Sequence, residues 1–91
     1  MIVVRQQSAK KQARLVAMYF RVRLQDIALV RSILEGYDGL AVLIAPDPNR
    51  GEIEWLVAEG RETEATALAS RLEREGLLLS IPRPADWPIR V

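Results

Sequence analysis

One short run of residues, from Ile33 to Leu40, places the end of a helix and the start of a strand within a single turn. Apolar residues close a helical pattern, Gly36 and Gly39 follow as two candidate left-handed stop positions, and an apolar strand begins at once. Because so few residues separate the two elements, this run constrains where the neighbouring elements begin. It predicts structure and carries no catalytic chemistry of its own.

The hydrophobic pattern around this run predicts four strands and two helices in the order β-α-β-β-α-β. Alternating or continuous apolar residues mark strands, and apolar residues at helical spacing mark helices. The predicted strands are 15–23, 40–45, 52–58 and 77–81, and the predicted helices are 26–37 and 61–75. Both crossovers should be right-handed, so both helices should cover the same face of one sheet. The predicted fold class is α+β: a ferredoxin-like βαββαβ two-layer sandwich with a four-stranded antiparallel sheet.

The chain divides into an arm, a domain and a tail. Residues 1–14 hold four basic and no acidic side chains, and they are predicted to form a flexible basic arm. The ferredoxin-like domain is predicted to span 15–82. Residues 83–91 form a tail that contains prolines and Trp87 and cannot be an interior strand. Trp87 is predicted either to fold back on its own sheet or to dock on a neighbour, and the pattern leaves both alternatives open.

Composition removes several classes of activity. The 91 residues include no His and no Cys, which excludes His-based acid–base catalysis, thiol chemistry and Cys/His zinc sites. Asp47, Glu52 and Glu54 could approach a divalent cation, but strand carboxylates two positions apart do not converge on one ion by themselves. We therefore expect a protein that is not an enzyme and needs no cofactor or metal. No stretch has the roughly 18–20 apolar residues of a membrane span, which predicts a cytoplasmic protein without a membrane partner.

Two segments carry a resemblance to a known family. They are the stretch from Asp26-Ile27 through Ile33-Leu34-Glu35-Gly36-Tyr37-Asp38-Gly39-Leu40, and the Asp47-Pro48 loop. Together they resemble an uncharacterised bacterial family of small ferredoxin-like, ACT-related domains. The resemblance implies an ACT-like, ferredoxin-like fold and brings no activity with it. ACT regulatory domains usually place a glycine in the turn after the first strand, whereas this chain has Arg23-Leu24-Gln25-Asp26 there.

The face of the sheet that the helices leave open is the predicted interface. Its predicted members are Ala17, Tyr19, Arg21, Ala41, Leu43, Glu54, Leu56, Leu78 and Ser80. Apolar surface mixed with charge is typical of an interface, so the expected partner is a second copy, in a homodimer or a larger oligomer. A small-molecule effector is a further candidate partner, beside Tyr37 and Asp38. The candidate interface or ligand residues are Tyr19, Arg21, Arg23, Tyr37, Asp38, Leu43, Leu56 and Trp87.

Nucleic-acid binding is the alternative function. Arg21 and Arg23, with Arg50, could form an anion-binding patch at one edge of the sheet, to which the basic arm would add. However, residues 15–91 hold nine basic and twelve acidic side chains, and Tyr19 is the one aromatic residue predicted on the open face. The sequence therefore favours an oligomerising or regulatory module over a nucleic-acid-binding protein.

Overall fold

The computed structural model describes residues 15–88, in which a four-stranded antiparallel sheet packs against two helices. In chain order the elements are β1 (Leu15–Arg21), a short 3-10 turn (Leu24–Asp26), α1 (Ile27–Glu35), β2 (Ala41–Ile44), β3 (Glu52–Ala58), α2 (Glu62–Arg74) and β4 (Leu79–Ser80). The predicted α+β class and order of elements are confirmed. The predicted arm and residues 89–91 of the predicted tail lie outside the described residues.

The strands lie in the order β2-β3-β1-β4, and each neighbouring pair is antiparallel. β1 pairs with β3 along its whole length, from Leu15 opposite Ala58 to Arg21 opposite Glu52. Each helix therefore joins two strands that run in the same direction and have one other strand between them. β2 and β4 form the two edges of the sheet.

One face of the sheet and both helices enclose a single core. Phe20 and Trp55 point toward the helices, as predicted, with their ring centroids 4.6 Å apart. The helices contribute buried apolar residues at helical spacing, which is what places one face of each helix against the sheet. These residues are Ile27, Val30, Leu34, Ala65, Leu68, Ala69 and Leu72.

The predicted orientation of β2 is wrong. Leu43 was expected on the open face, but it lies opposite Trp55 and packs against the core, as does Ala41. Val42 lies on the open face instead and is 62% exposed. The strand is apolar on both sides, so its own pattern holds no information about which residues point inward. Pairing with β3 decides the matter, because directly opposite residues of antiparallel strands share a face.

The predicted orientation of β4 is wrong for the same reason. Leu78 is buried in the core, and Ser80 lies opposite Phe20 on the helix side, where its hydroxyl is 3.5 Å from Oε1 of Glu73. Leu79 takes the open face, opposite Arg21. Three consecutive leucines at 77–79 give no alternation from which the inward positions could be read.

Two of the four glycines with positive φ within residues 15–88 form a tight turn or a close backbone contact. Gly39 has φ +71° in the tight turn that a hydrogen bond from Leu40 N to Tyr37 O closes at 2.9 Å. Gly36 ends α1 with φ −73°, so the prediction of a left-handed stop is wrong for Gly36. Gly51 has φ +73°, and a Cβ there would lie 2.7 Å from the carbonyl oxygen of Val22. The glycine thus permits β3 to begin in close contact with the end of β1.

Candidate functional site

The C-terminal segment folds back over the open face of the sheet. We call residues 82–88 the C-terminal strap. The indole of Trp87 is buried, and its Nε1 donates a hydrogen bond of 2.9 Å to Oε1 of Glu54. The ring also meets Tyr19 edge to face, with centroids 5.6 Å apart and planes at 83°. Of the two alternatives predicted for Trp87, the structure shows folding back on the same chain.

The alternation of inward and outward side chains along β3 explains why a carboxylate lies under the strap. Ile53 and Trp55 point into the core, so Glu52 and Glu54 point to the open face. Glu54 has no exposed surface at all, whereas the side chain of Glu52 is 14% exposed. A buried carboxylate is stabilised only when hydrogen-bonded, and the indole N–H supplies one such bond. Covering by the strap therefore buries a carboxylate on the face that the helices leave open.

A chain of ion pairs fastens the end of the strap to the sheet. The guanidinium of Arg50 binds Asp86 through Nη1 at 2.8 Å and also pairs with Glu52, which lies 3.5 Å from Arg21. The hydrogen bond from Arg50, and next its charge, lower the pKa of Asp86 below its ordinary value. The hydrogen bond to Asp86 likewise raises the pKa of Arg50. Because Arg50 and Asp86 are exposed, their pairing orients the strap more than it stabilises it.

The free energy gained when the strap packs on the sheet is close to the conformational entropy that it loses. Ordering residues 82–87 costs about 6–10 kcal/mol of chain entropy, at about 1–2 kcal/mol per residue and less at the prolines. Burying the indole returns about 4–6 kcal/mol, and its contact with Tyr19 about 0.5–1.5 kcal/mol. A buried hydrogen bond to a charged group adds about 1.5–3 kcal/mol. The strap is thus held mainly by Trp87, with a margin of a few kcal/mol at most.

A cavity of about 250 Å³ lies beside the strap. Its lining residues are Pro46, Asp47, Arg50, Glu52, Asp86, Trp87 and Pro88. The guanidinium in its wall is already paired with two carboxylates, so the cavity offers no free cation to an anionic ligand. Within residues 15–88 no three acidic side chains come close enough to form a metal site. We therefore interpret the cavity as a gap left where the strap packs against the sheet, and not as a ligand site.

At the end of the open face away from the strap the side chains are apolar, and no helix or strand within residues 15–88 covers them. We call Leu15, Ala17, Val42, Leu56 and Ala58 the open patch. The β1–β3 and β2–β3 registers bring these residues side by side, and Leu15 and Val42 are 59% and 62% exposed. A shallow depression of about 150 Å³ crosses the patch near the Gly39 turn. The open face is thus divided into a covered polar half and an uncovered apolar half.

The structure brings some of the predicted site residues together and separates others. Tyr19 and Trp87 touch, and Leu56 lies in the open patch. The predicted anion patch does not assemble as free arginines: Arg21 faces Glu52, and Arg23 binds Asp26 at 2.8 Å. Arg50 is paired as well, with Asp86.

Tyr37 and Asp38 lie on the helix side, away from the strap. The Tyr37 hydroxyl accepts a 3.3 Å hydrogen bond from Arg71, and the Asp38 carbonyl accepts one of 2.7 Å from Arg61. An open groove of about 330 Å³ runs beside the tyrosine. It is lined by Tyr37, Glu64, Ala67, Leu68, Arg71 and Arg74.

Asp86 was missed at the sequence level, and the contact that Glu54 makes was not predicted. Asp86 and Glu54 gain their roles only from a contact across more than thirty positions of the chain. The one local signal is the proline-flanked Trp87, which marks the tail as something other than a strand but not where it docks.

A family model described as "Domain of unknown function (DUF4911)" matches residues 20–75, which is more than half of the chain. The chain belongs to this family. The match spans β2, β3, both helices and the groove beside Tyr37, and it ends before β4 and the strap. No curated protein and no solved structure matches the chain significantly. No helix within residues 15–88 has the length and apolar character to cross a membrane.

Proposed function

We propose that this member of the DUF4911 family is a small non-catalytic module of ferredoxin-like, ACT-like fold that associates with a second copy through the open patch. The observation that carries the proposal is the uncovered apolar half of the sheet face, with Leu15 and Val42 both more than half exposed. Contiguous exposed apolar surface is typical of a protein interface.

The arrangement of the sheet supports the fold assignment. The strand order β2-β3-β1-β4 places the first and third strands at the centre. Each βα crossover skips one strand, and both helices share one core with the same face of the sheet. A split βαβ arrangement produces this order.

The outer edge of β2 supports a second copy as the occupant. A hydrogen bond of 2.9 Å from Ala58 N to Leu40 O shows that Leu40 and Ala58 are a hydrogen-bonded pair of the β2–β3 ladder. Bonded pairs alternate along antiparallel strands, so Val42 and Ile44 direct their backbone groups to β3. Ala41 and Leu43 direct theirs outward, where no described strand pairs with them. The patch and this edge adjoin, so one partner can engage both.

The absence of catalysis is proposed from the sequence. With no His and no Cys in 91 residues, acid–base work near neutral pH would need a perturbed carboxyl, Lys or Tyr. The nucleic-acid alternative loses support, because Arg21, Arg23 and Arg50 each pair with a carboxylate of the same chain.

A small anionic effector is a second candidate partner, favoured by the groove beside Tyr37. Arg71 and Arg74 lie one helical turn apart on α2, and both line this groove together with Ala67 and Leu68. Arg71 also pairs with Glu75 at 3.9 Å. Two guanidinium groups at this spacing suit a carboxylate or phosphate. Citrate and inorganic phosphate should raise the melting temperature of the wild type but not of Arg74→Ala. Equal shifts in both proteins would remove this candidate.

Self-association is tested by light scattering across a concentration series. We expect a dimer at high micromolar concentration, and Val42→Lys should weaken its Kd at least tenfold because it places a charge in the patch. Leu29→Lys is the matched control, since Leu29 is 47% exposed on α1. A strict monomer for the wild type, or equal effects of the two lysines, would overturn the proposal.

A further inference from the structure

The C-terminal strap covers half of the face through which we expect copies to meet. Its Trp87 lies over Tyr19 and Glu54, which are neighbours of Ala17 and Leu56 in the open patch. The covered and uncovered halves are therefore parts of one surface, divided only by where the strap lies. An element that covers half of an interface controls how much of it a partner can reach.

The open face of the sheet is small, so the area that the strap covers has a large effect on how tightly two copies can associate. Four strands about 4.8 Å apart and up to seven residues long at about 3.3 Å per residue cover at most about 440 Å². The open patch is about half of that footprint. Specific stable interfaces bury about 800 Å² per partner, so the patch alone supports only weak association. Opening of the strap about doubles the available surface, which still lies below that area, so we expect tighter association but not a very stable dimer.

The strap can detach from the sheet without breaking any strand pairing. Within residues 82–88, the backbone hydrogen bond of the strap is internal, from Trp87 N to Pro84 O at 3.0 Å. The last backbone hydrogen bond between this end of the chain and β1 runs from Ile81 N to Tyr19 O. Beyond it, the contacts named above rest on the side chains of Trp87 and Asp86. Releasing two side chains does not disturb the pairing of any strand.

We infer that the C-terminal strap is a removable cover that limits self-association of the sheet face, and that its release lets a second copy occupy the whole face. This rests on the proposed function and names its regulation. The partner is a second copy of this chain. Its own open patch provides the apolar surface that the uncovered Tyr19 ring and Leu56 would pack against. Release is favoured by whatever breaks the exposed pair of Arg50 and Asp86, such as high salt or acid.

Trp87→Ala in the 91-residue chain tests the cover. Light scattering should show a discrete dimer whose Kd is at least tenfold tighter than that of the wild type. Asp86→Asn, an exposed change that leaves the core intact, should tighten the Kd by a smaller factor, about two- to fivefold. Arg83→Ala is the control within the strap, since Arg83 is exposed and should leave the Kd unchanged.

A double variant distinguishes specific dimerisation through this face from non-specific hydrophobic association. Trp87→Ala with Val42→Lys should return to the weak association of Val42→Lys, because the same face is used. The cover is refuted if the wild type forms a dimer that Val42→Lys disrupts while Trp87→Ala and Asp86→Asn leave its Kd unchanged or weaken it. Monomers throughout the series would instead refute the proposed function. If Trp87→Ala unfolds, the Kd of Asp86→Asn decides.

Discussion

The indole Nε1 of Trp87 donates a hydrogen bond of 2.9 Å to Oε1 of Glu54, across 33 positions of the chain. Both residues are buried on the side of the sheet that the helices do not cover. The pair thus forms a small second packing layer, separate from the main core. Its hydrogen bond is the polar contact that joins the strap to the centre of the sheet.

Replacement of Glu54 should destabilise the protein according to whether an acceptor remains. Glu54→Ala removes the partner of the Trp87 N–H and should lower the free energy of unfolding by about 1–3 kcal/mol. Glu54→Gln keeps an oxygen of similar position and should lose less than half as much. Urea unfolding followed by circular dichroism measures both. Equal losses would show that the hydrogen bond to Trp87 is not what stabilises this site.

Acid should loosen the end of the strap before it unfolds the sheet. The bond and charge of Arg50 lower the pKa of Asp86 from its ordinary value of 3.8. The carboxylate binds Arg50 only when charged. Its contribution to closure is therefore complete above 3.8 and is lost as the pH falls through the lowered pKa.

Fluorescence of Trp87, taken as the difference between wild type and Trp87→Phe, follows this loosening. We expect a transition below pH 3.8 in the wild type. Asp86→Asn cannot titrate at this position and should show no such step. Identical profiles for the two proteins would assign the acid transition to other carboxyl groups.

Gly51 and Gly60 should differ in their tolerance of alanine. Both have positive φ, +73° and +88°, so each Ala substitution costs about 1–2 kcal/mol in backbone strain. At Gly51 the new Cβ would also lie 2.7 Å from the Val22 carbonyl oxygen, while at Gly60 nothing lies within 4 Å. Gly51→Ala should therefore lose about 1–3 kcal/mol more than Gly60→Ala in urea unfolding. Similar losses would mean that the two strands separate easily at this point.

Lysine at two adjacent positions of β2 tests the orientation of the strand. Leu43 packs against the core, so Leu43→Lys should lower the free energy of unfolding by about 2 kcal/mol or more. Val42 is 62% exposed, and Val42→Lys should change it by less than about 0.5 kcal/mol. Thermal melts at low protein concentration, where copies do not associate, measure the difference. The reverse order would restore the orientation predicted from the sequence.

The sequence predicted the elements well where their boundaries have local causes. The alternation in Glu52–Ala58 sets a strand whose bounds and inward residues the structure confirms. Gly76, with φ +79°, ends α2 at the predicted position. Such features depend on residues close together in the chain, so reasoning from neighbours is sufficient.

Local reasoning failed where neighbours are alike. Leu43 and Leu78 lie in runs that are apolar on both sides, and only pairing with β3 or packing in the core selects the inward residue. The candidate site shows the same division. Tyr19 and Trp87 could be singled out as aromatic residues without a place in the core. Their contact could not be predicted, because it depends on the path of a proline-containing tail.

The sequence by itself determined the class of fold, the order of its elements and the absence of His and Cys chemistry, because composition and hydrophobic period act at short range. Tertiary structure alone decided that Glu54 is buried, that Arg50 binds Asp86, and that the open face is half covered. These facts arise because the strap, which forms no strand, packs on a surface where its indole is buried and its N–H is hydrogen-bonded. Complementarity between distant segments decides them, and it exists only once the sheet has formed.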